Sequence, residues 1–342
     1  MINLERPGEE VKDKNTKQNL KRRISRLILD INPSLTEQET FERFPGSHPV
    51  SFTRDLLGAT CQYLICEKTD GVRYLLFIPA IPKLRGIVEV FAYLVDRKFA
   101  FWKVVLYIPG NMLTGDSLFD VELVIDYNTD IRLLVFDTLY ARGMCYMLNN
   151  YYERLRAAWL ELIYPIRESG TKSKNAIELF LKDFYRTDDI DFLVNSIQTR
   201  LPHATDGIIF TRVDAPYIVG TNSNIVKWKP NNLNSVDFII KPSQNDGIYN
   251  LFTKNLKIIE KFGEIEIFDE EQREIIKYNQ NLIAECCYLD GKWKIHKIRT
   301  DKDTPNTTLV AQRVFKSISD NVTVEELIAA FKAKSLKAHK SQ

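Results

Sequence analysis

Residues 67 to 73 read Glu-Lys-Thr-Asp-Gly-Val-Arg, and their types and spacing suit covalent chemistry on phosphorus. Lys68 stands two residues before the pair Asp70–Gly71 and five before Arg73. The flanking runs, 62–66 and 72–79, are apolar and β-branched enough to read as strands. A lysine in the turn between two strands can be held rigidly with its amine in a groove. A neutral amine attacks phosphorus or carbonyl centres well, but at pH 7 only about one unperturbed lysine in 2,500 is neutral. Such a site therefore wants cations nearby, and Arg73 is the first candidate. On these residues alone, a Lys-x-Asp-Gly turn is more often the solvated tip of a hairpin.

Further segments carry chemistry-bearing residues. In 116–126, Asp-Ser-Leu-Phe-Asp-Val-Glu-Leu-Val-Ile-Asp, the period of two puts Asp120 and Glu122 on one strand face. Paired carboxylates there suit a divalent metal or a ribose hydroxyl. Residues 133–138 read as a buried strand containing Phe136 and Asp137. Residues 203–212 place Asp206 and Gly207 in a turn before another apolar strand. Residues 225–230, Ile-Val-Lys-Trp-Lys-Pro, put Lys227 and Lys229 on one strand face and Trp228 on the other. Near the end, Arg299, Asp301 and Lys302 cluster within four residues. Each has a plainer reading: an edge strand with charges in water, the solvent side of a half-buried strand, a solvated turn.

The order of these segments narrows the choice. Lys-x-Asp-Gly, Asp-x-Glu, Phe-Asp, Thr-Asp-Gly, Lys-x-Lys and Arg-x-Asp-Lys, in that sequence, resemble the covalent nucleotidyltransferases. Within that superfamily the chain most resembles the RNA guanylyltransferases that cap mRNA, of the compact viral and fungal type. Residues 44–54 (Phe-Pro-Gly-Ser-His-Pro-Val-Ser-Phe-Thr-Arg), Val95–Asp96–Arg97 and 290–302 share the likeness. It departs at Val121, where the family usually has glycine; a valine suits a strand but makes close backbone approach to a nucleotide less assured.

The resemblance implies an α+β fold: a ligase-type, ATP-grasp-like nucleotidyltransferase lobe of antiparallel sheets at 1–237, and an OB-fold barrel at 238–306. It also implies a C-terminal segment, 307–342, whose helix packs back on the large lobe, and a hinge near 236–242. By the same resemblance, Lys68 attacks the α-phosphate of GTP, releases pyrophosphate and carries GMP to a 5′-diphosphate RNA end. Asp70, Arg73, Arg97, Glu122, Phe136, Lys227, Lys229, Arg299, Asp301 and Lys302 are then the GTP-binding residues, with Phe136 stacked on guanine. Asp120, Glu122 and Asp206 are the expected metal ligands, for Mg²⁺ or Mn²⁺. The alternative is an ATP-dependent polynucleotide ligase.

The elements that must position these residues follow from patterning. At 342 residues, 44% hydrophobic and 27% charged, the chain suits two globular domains. A net charge of +2 argues against a uniformly basic nucleic-acid-binding surface. Five scattered cysteines match no zinc spacing and read as reduced thiols. No run reaches the ~20 apolar residues of a membrane span, so an intracellular protein, nuclear or cytoplasmic, is expected. Leu20, Ile24, Leu27, Ile28 and Ile31 predict a helix over 19–31. Residues 147–200 read as mainly helical, most clearly 151–163 and 174–184. Thr323 and Glu326 form a capping box that opens a last helix. Nothing reads as an RNA triphosphatase or cap methyltransferase, which are expected as separate proteins.

Overall fold

The computed structural model describes residues 3–31, 36, 38, 40, 44–59, 61–279, 281–300 and 302–340. The chain gathers into two compact units, 1–49 with 61–225, and 50–60 with 226–342. The expected boundary stood at 237/238. The observed division falls earlier, between Ile225 and Val226, and gives the segment 50–60 to the second unit.

The first half of the chain provides β1 (Glu9–Glu10), α1 (Lys14–Leu29), β2 (Ser47–Ser51), β3 (Tyr63–Thr69) and β4 (Val72–Ile78). Next come β5 (Ile87–Val95), β6 (Phe101–Pro109), β7 (Ser117–Ile125), β8 (Ile131–Ala141) and β9 (Met144–Cys145). Helix α2 (Tyr151–Ala158) follows, then β10 (Glu178–Leu181), β11 (Tyr185–Arg186), β12 (Thr205–Arg212) and β13 (Gly220–Trp228). The larger sheet has the order β1-β6-β5-β4-β7-β8-β10, with β9 attached to β8; the smaller has β11-β3-β12-β13-β2.

The apolar run from Tyr74 to Ile78 in β4 arises because both faces of the large sheet are covered. Tyr74, Leu76, Phe119, Val121 and Leu123 enter one core, roofed by Ala158, Leu162, Ile163 and Ile166. Leu75, Phe77 and Leu118 face the other way, under Leu20, Ile24 and Ile28 of α1. The helix predicted over 19–31 spans Lys14–Leu29; Asp13 starts it by accepting from the Thr16 N–H at 2.7 Å. Helix α2 runs on through a wide turn at Trp159–Ile163 into Tyr164–Glu168.

The helix expected over 174–184 is instead β10. It pairs in parallel with β8, Glu178 opposite Arg132 through Leu181 opposite Val135. Leu179 enters the core, and the Phe180 ring lies under the guanidiniums of Arg132 and Arg167 at 4.8 and 5.7 Å. A short apolar run does not separate helix from strand by period. Here the backbone groups along β8 decide it.

The second unit contains β14 (Ser235–Pro242), β15 (Ile248–Asn255), β16 (Ile258–Glu266), α3 (Glu270–Tyr278), β17 (Ile283–Leu289) and β18 (Lys292–Ile298). Its five-stranded sheet has the order β16-β15-β14-β17-β18. The outer strands meet: Lys292 on β18 pairs with Glu266 on β16 at 2.7 Å, and a Cβ on Gly263 would lie 3.7 Å from the Trp293 ring nitrogen. This is the expected small OB-type barrel. Phe238, Phe262, Tyr288, Trp293 and Phe315 fill it, with neighbouring ring centroids 5.0 to 6.2 Å apart. The hinge expected at 236–242 is not there. Those residues form β14, the central strand, hydrogen-bonded to both β15 and β17.

Two helices close the chain, α4 (Thr308–Asp320) and α5 (Val324–Lys340). Ala311, Val314 and Ile318 of α4 bury against the barrel core. The expected capping box opens α5: the Glu326 N–H donates to Thr323 Oγ1 at 3.2 Å, and the Thr323 N–H to Glu326 at 3.0 Å. Arg54 clasps the α4–α5 junction through Glu326 at 2.6 Å and the Asp320 carbonyl at 2.8 Å. The Trp228 indole donates to the Val322 carbonyl at 2.9 Å. These contacts give 50–60 and the terminal helices to one unit.

Arg154 and Asp137 form one of the buried ion pairs of the first unit. Arg154 on α2 donates to both oxygens of Asp137 on β8, at 2.7 and 3.2 Å, and to the carbonyls of Asn149 and Ala215. Both side chains are buried. Asp137→Ala leaves that guanidinium uncompensated and should cost about 3–5 kcal/mol, read as a lowered chemical-denaturation midpoint. Unchanged stability would show that the pair is dispensable to the fold.

Candidate active site

Lys68 is the penultimate residue of β3 and so lies on a strand, not in the turn that follows. A strand fixes the amine more firmly than a turn would. β12 runs antiparallel to β3, with Thr205 opposite Thr69 and Gly207 opposite Lys68, which leaves Asp206 as an extra residue. That bulge re-aims the Asp206 carboxylate, and Lys68 Nζ donates to its Oδ1 at 2.7 Å. The two side chains are 24% and 20% exposed, so water reaches the pair. Such an ion pair holds the nitrogen in place and must dissolve, with loss of the ammonium proton, before the nitrogen can attack. The turn Asp70–Gly71 is tied down by the Asp70 N–H donating to the Ala204 carbonyl at 2.9 Å. Gly71 is required, because a Cβ there would lie 2.6 Å from the Leu123 carbonyl.

Across the large sheet, Arg73 on β4 stands opposite Glu122 on β7. Its guanidinium donates to Asp120 Oδ1 at 2.7 Å, to the other Asp120 oxygen, and to the Ser47 carbonyl. The Tyr217 hydroxyl donates to Asp120 at 2.6 Å and accepts from the Ser47 N–H at 3.0 Å. Burial opposes the charge of Arg73, but the Asp120 carboxylate outweighs that cost and holds the guanidinium charged. Burial and Asp120 keep the Tyr217 hydroxyl protonated well beyond the usual phenol range. Asp120 is thus engaged by both Arg73 and Tyr217. Val121 points into the opposite core and is fully buried, so the missing glycine leaves both acids on the site face.

Phe136 occupies a second bulge. Asp120 pairs with Asp137 and Val121 with Val135, so Phe136 is the extra residue of β8. Its ring is partly exposed, with the Arg73 guanidinium 5.6 Å from its centroid; the Phe44 ring lies 5.7 Å from the same guanidinium. Arg97 is exposed just after β5. Burial, helped by the charges of Arg73 and Arg97, lowers the His48 imidazole to about 4 and keeps it neutral at pH 7.

Lys182 was not singled out from sequence. Its side chain is 4% exposed and donates to Thr69 Oγ1 on β3; its Nζ stands 3.3 Å from Glu67 and 3.9 Å from Glu122. Burial opposes its charge, yet the surrounding Cys66, Glu67 and Glu122 raise its pKa. Burial raises the Glu122 carboxyl, countered by Lys182, Lys68 and Arg73, while Asp206 adds to the rise. Lys68, Lys182, Glu122, Asp206 and Arg73 therefore share one electrostatic neighbourhood. A lysine between Leu181 and Asp183, after an apolar run, was the only sequence signal for Lys182.

Among the described residues, no three His, Cys, Asp or Glu side chains are grouped to hold a metal ion. Of the expected ligands, Glu122 and Asp206 are near enough for the Asp206 charge to raise the Glu122 carboxyl. That suits Mg²⁺ or Mn²⁺, whose shells are commonly completed by substrate phosphates and water.

The other expected residues lie in the second unit. β13 ends at Trp228, so Lys227 is on the strand and Lys229 just beyond it. The Lys227 carbonyl accepts from the Phe52 N–H at 2.9 Å. Arg299 and Lys302 follow β18 and pair with Asp237 on β14. Asp301 lies outside the described residues.

Comparison with known proteins agrees with this layout. Residues 3–231 match the family described as mRNA capping enzyme, catalytic domain, and 233–328 match mRNA capping enzyme, C-terminal domain. The mRNA-capping enzyme subunit alpha of Schizosaccharomyces pombe is 34% identical, over 90% of this chain and 83% of its own length. The protein of the same name from Saccharomyces cerevisiae is 29% identical, over 92% of this chain and 82% of its own. Among solved structures, mycobacterial DNA ligase D complexed with ATP and MES is 14% identical at a TM-score of 0.39, covering 75% of this chain and 95% of that one. The two family matches, which meet at the turn before the barrel and together span nearly the whole chain, place it among the mRNA capping enzymes, a family of RNA guanylyltransferases.

Proposed function

We propose that Lys68 is the nucleophile of this mRNA guanylyltransferase. Its nitrogen attacks the α-phosphorus of GTP, the bond to the β-phosphate oxygen breaks and pyrophosphate leaves. Lys68 gives up its proton, and a Lys-GMP phosphoramidate remains. A β-phosphate oxygen of a 5′-diphosphate RNA then attacks the same phosphorus, the N–P bond breaks, and a GpppN cap forms. The observation that carries this reading is the pairing of Lys68 with Asp206 at a strand bulge, in one field with Glu122, Arg73 and Lys182.

Roles follow from position. Phe136 offers a partly exposed ring for guanine to stack on. Arg73, anchored by Asp120 and Tyr217, meets the ribose and phosphates, with Arg97 beside it. Asp70 fixes the turn after the nucleophile. Glu122 takes the ribose hydroxyls and, with Asp206, the divalent cation. Mg²⁺ or Mn²⁺, when bound, neutralises phosphate charge. Lys227 and Lys229 are assigned to the α-phosphate, and Arg299, Asp301 and Lys302 to the β- and γ-phosphates. The RNA triphosphatase that produces the diphosphate end, and the methyltransferase that matures the cap, are separate partners. No described helix is long and apolar enough to cross a membrane, and we assign the protein to nucleus or cytoplasm, where nascent RNA ends are available.

Incubation with α-labelled GTP and Mg²⁺, followed by a denaturing gel, should leave acid-labile label on the wild-type chain. Lys68→Ala and Lys68→Arg should leave none while melting as the wild type does, because arginine keeps the charge but does not deprotonate. Label retained by either variant would remove Lys68 from its role.

Nucleotide choice is a separate expectation. Labelled ATP should give little or no adduct under conditions where GTP labels fully. Preferential labelling by ATP would favour the ligase alternative.

A further inference from the structure

We infer that Asp237 is a positioning residue for the pyrophosphate-forming step, holding the Arg299 and Lys302 side chains assigned to the β- and γ-phosphates. This rests on the assignment of those two cations made above. Nothing in the sequence pattern distinguished Asp237, which reads as an ordinary polar position between Val236 and Phe238.

In β14, Val236, Phe238 and Ile240 point into the barrel core, so Asp237 emerges on the opposite face. It is nonetheless buried, 6% exposed. Its carboxylate takes Arg299 Nη1 at 3.2 Å on one oxygen and Lys302 Nζ on the other. Its backbone is bracketed as well: the Asp237 N–H donates to Asn306 Oδ1 at 2.8 Å, and the Asn306 N–H returns to the Asp237 carbonyl at 2.8 Å. Glu285, directly across on β17, stands 3.4 Å from the same Arg299 nitrogen and is held by the Ser235 hydroxyl. The Arg299 N–H donates to the Ile283 carbonyl at 2.8 Å, so the arginine's own backbone is pinned to the barrel.

Two cations thus converge on one buried carboxylate in the central strand of the barrel sheet. A solvated charged turn needs no such partner, and burying a carboxylate is costly unless cations compensate it. Long Arg and Lys side chains have many rotamers, and a fixed carboxylate between them selects the pair that points both heads the same way. Supporting side chains of this kind set the geometry of the groups that touch substrate.

Asp237→Asn, which keeps size and removes charge, tests this alongside Asp237→Glu, Arg299→Ala and Lys302→Ala. Asp237→Asn should slow Lys-GMP formation at saturating GTP by about tenfold or more, as loss of positioning does. Transfer from preformed Lys-GMP to diphosphate-ended RNA should stay within about twofold of wild type, because pyrophosphate has already left. Asp237→Glu should recover part of the loss. In an Arg299→Ala, Lys302→Ala background, Asp237→Asn should add little further loss. Three results would overturn the inference. If Asp237→Asn matches wild type while Arg299→Ala and Lys302→Ala are impaired, Asp237 positions nothing. If it lowers the melting temperature and slows both steps alike, its role is structural. If Arg299→Ala and Lys302→Ala label normally, the assignment of the cations falls, and the inference with it.

Discussion

A buried ammonium ties the two sheets of the first unit together where the chemistry is assigned. Lys182 follows β10 on the edge of the large sheet, yet its Nζ reaches Thr69 and Glu67 on β3 of the smaller sheet and Glu122 on β7. An ion buried this deeply is tolerated only because the carboxylates and the hydroxyl around it replace water. The arrangement fixes the distance between the strand that carries Lys68 and the strand that carries Glu122. Lys68 and Glu122 are then placed by the same contact.

Around that tie, the site works by prior commitment of charges. Arg73 is fixed by Asp120, Ser47 and Tyr217, so its charge is present before any nucleotide arrives and needs no reorganisation. Lys68 and Asp206 are paired in the same neighbourhood, with water reaching both side chains. Burial favours the neutral form of Glu122 and the nearby Asp206 charge adds to it, so a cation beside Glu122 would relieve an unfavourable environment.

Much of this was legible in the residues. The alternation at 116–126 put Asp120 and Glu122 on one face, and β7 does so. Helix α1 and the Thr323–Glu326 cap also follow from spacing, while the barrel, expected over 238–306 by resemblance, begins at Ser235. What was not legible depends on partners distant in sequence. A bulge is one residue of mismatch between two strands, and nothing within 203–212 or 133–138 announces that Asp206 or Phe136 is the extra one. β10 became a strand because β8 had backbone groups to pair, and 236–242 became a central strand because barrel strands flank it on both sides. Nothing near residue 120 announced that Asp120 engages Tyr217, 97 residues away, and Arg73.

The measurement closest to the central claim is cap formation itself. The protein, GTP and Mg²⁺ are mixed with a short RNA ending in a 5′ diphosphate, and the product is digested with a nuclease that spares triphosphate bridges. The account predicts GpppN from diphosphate ends and almost none from monophosphate ends, which lack the β-phosphate nucleophile. Sealing of a nicked duplex with ATP, and no GpppN from GTP, would contradict it.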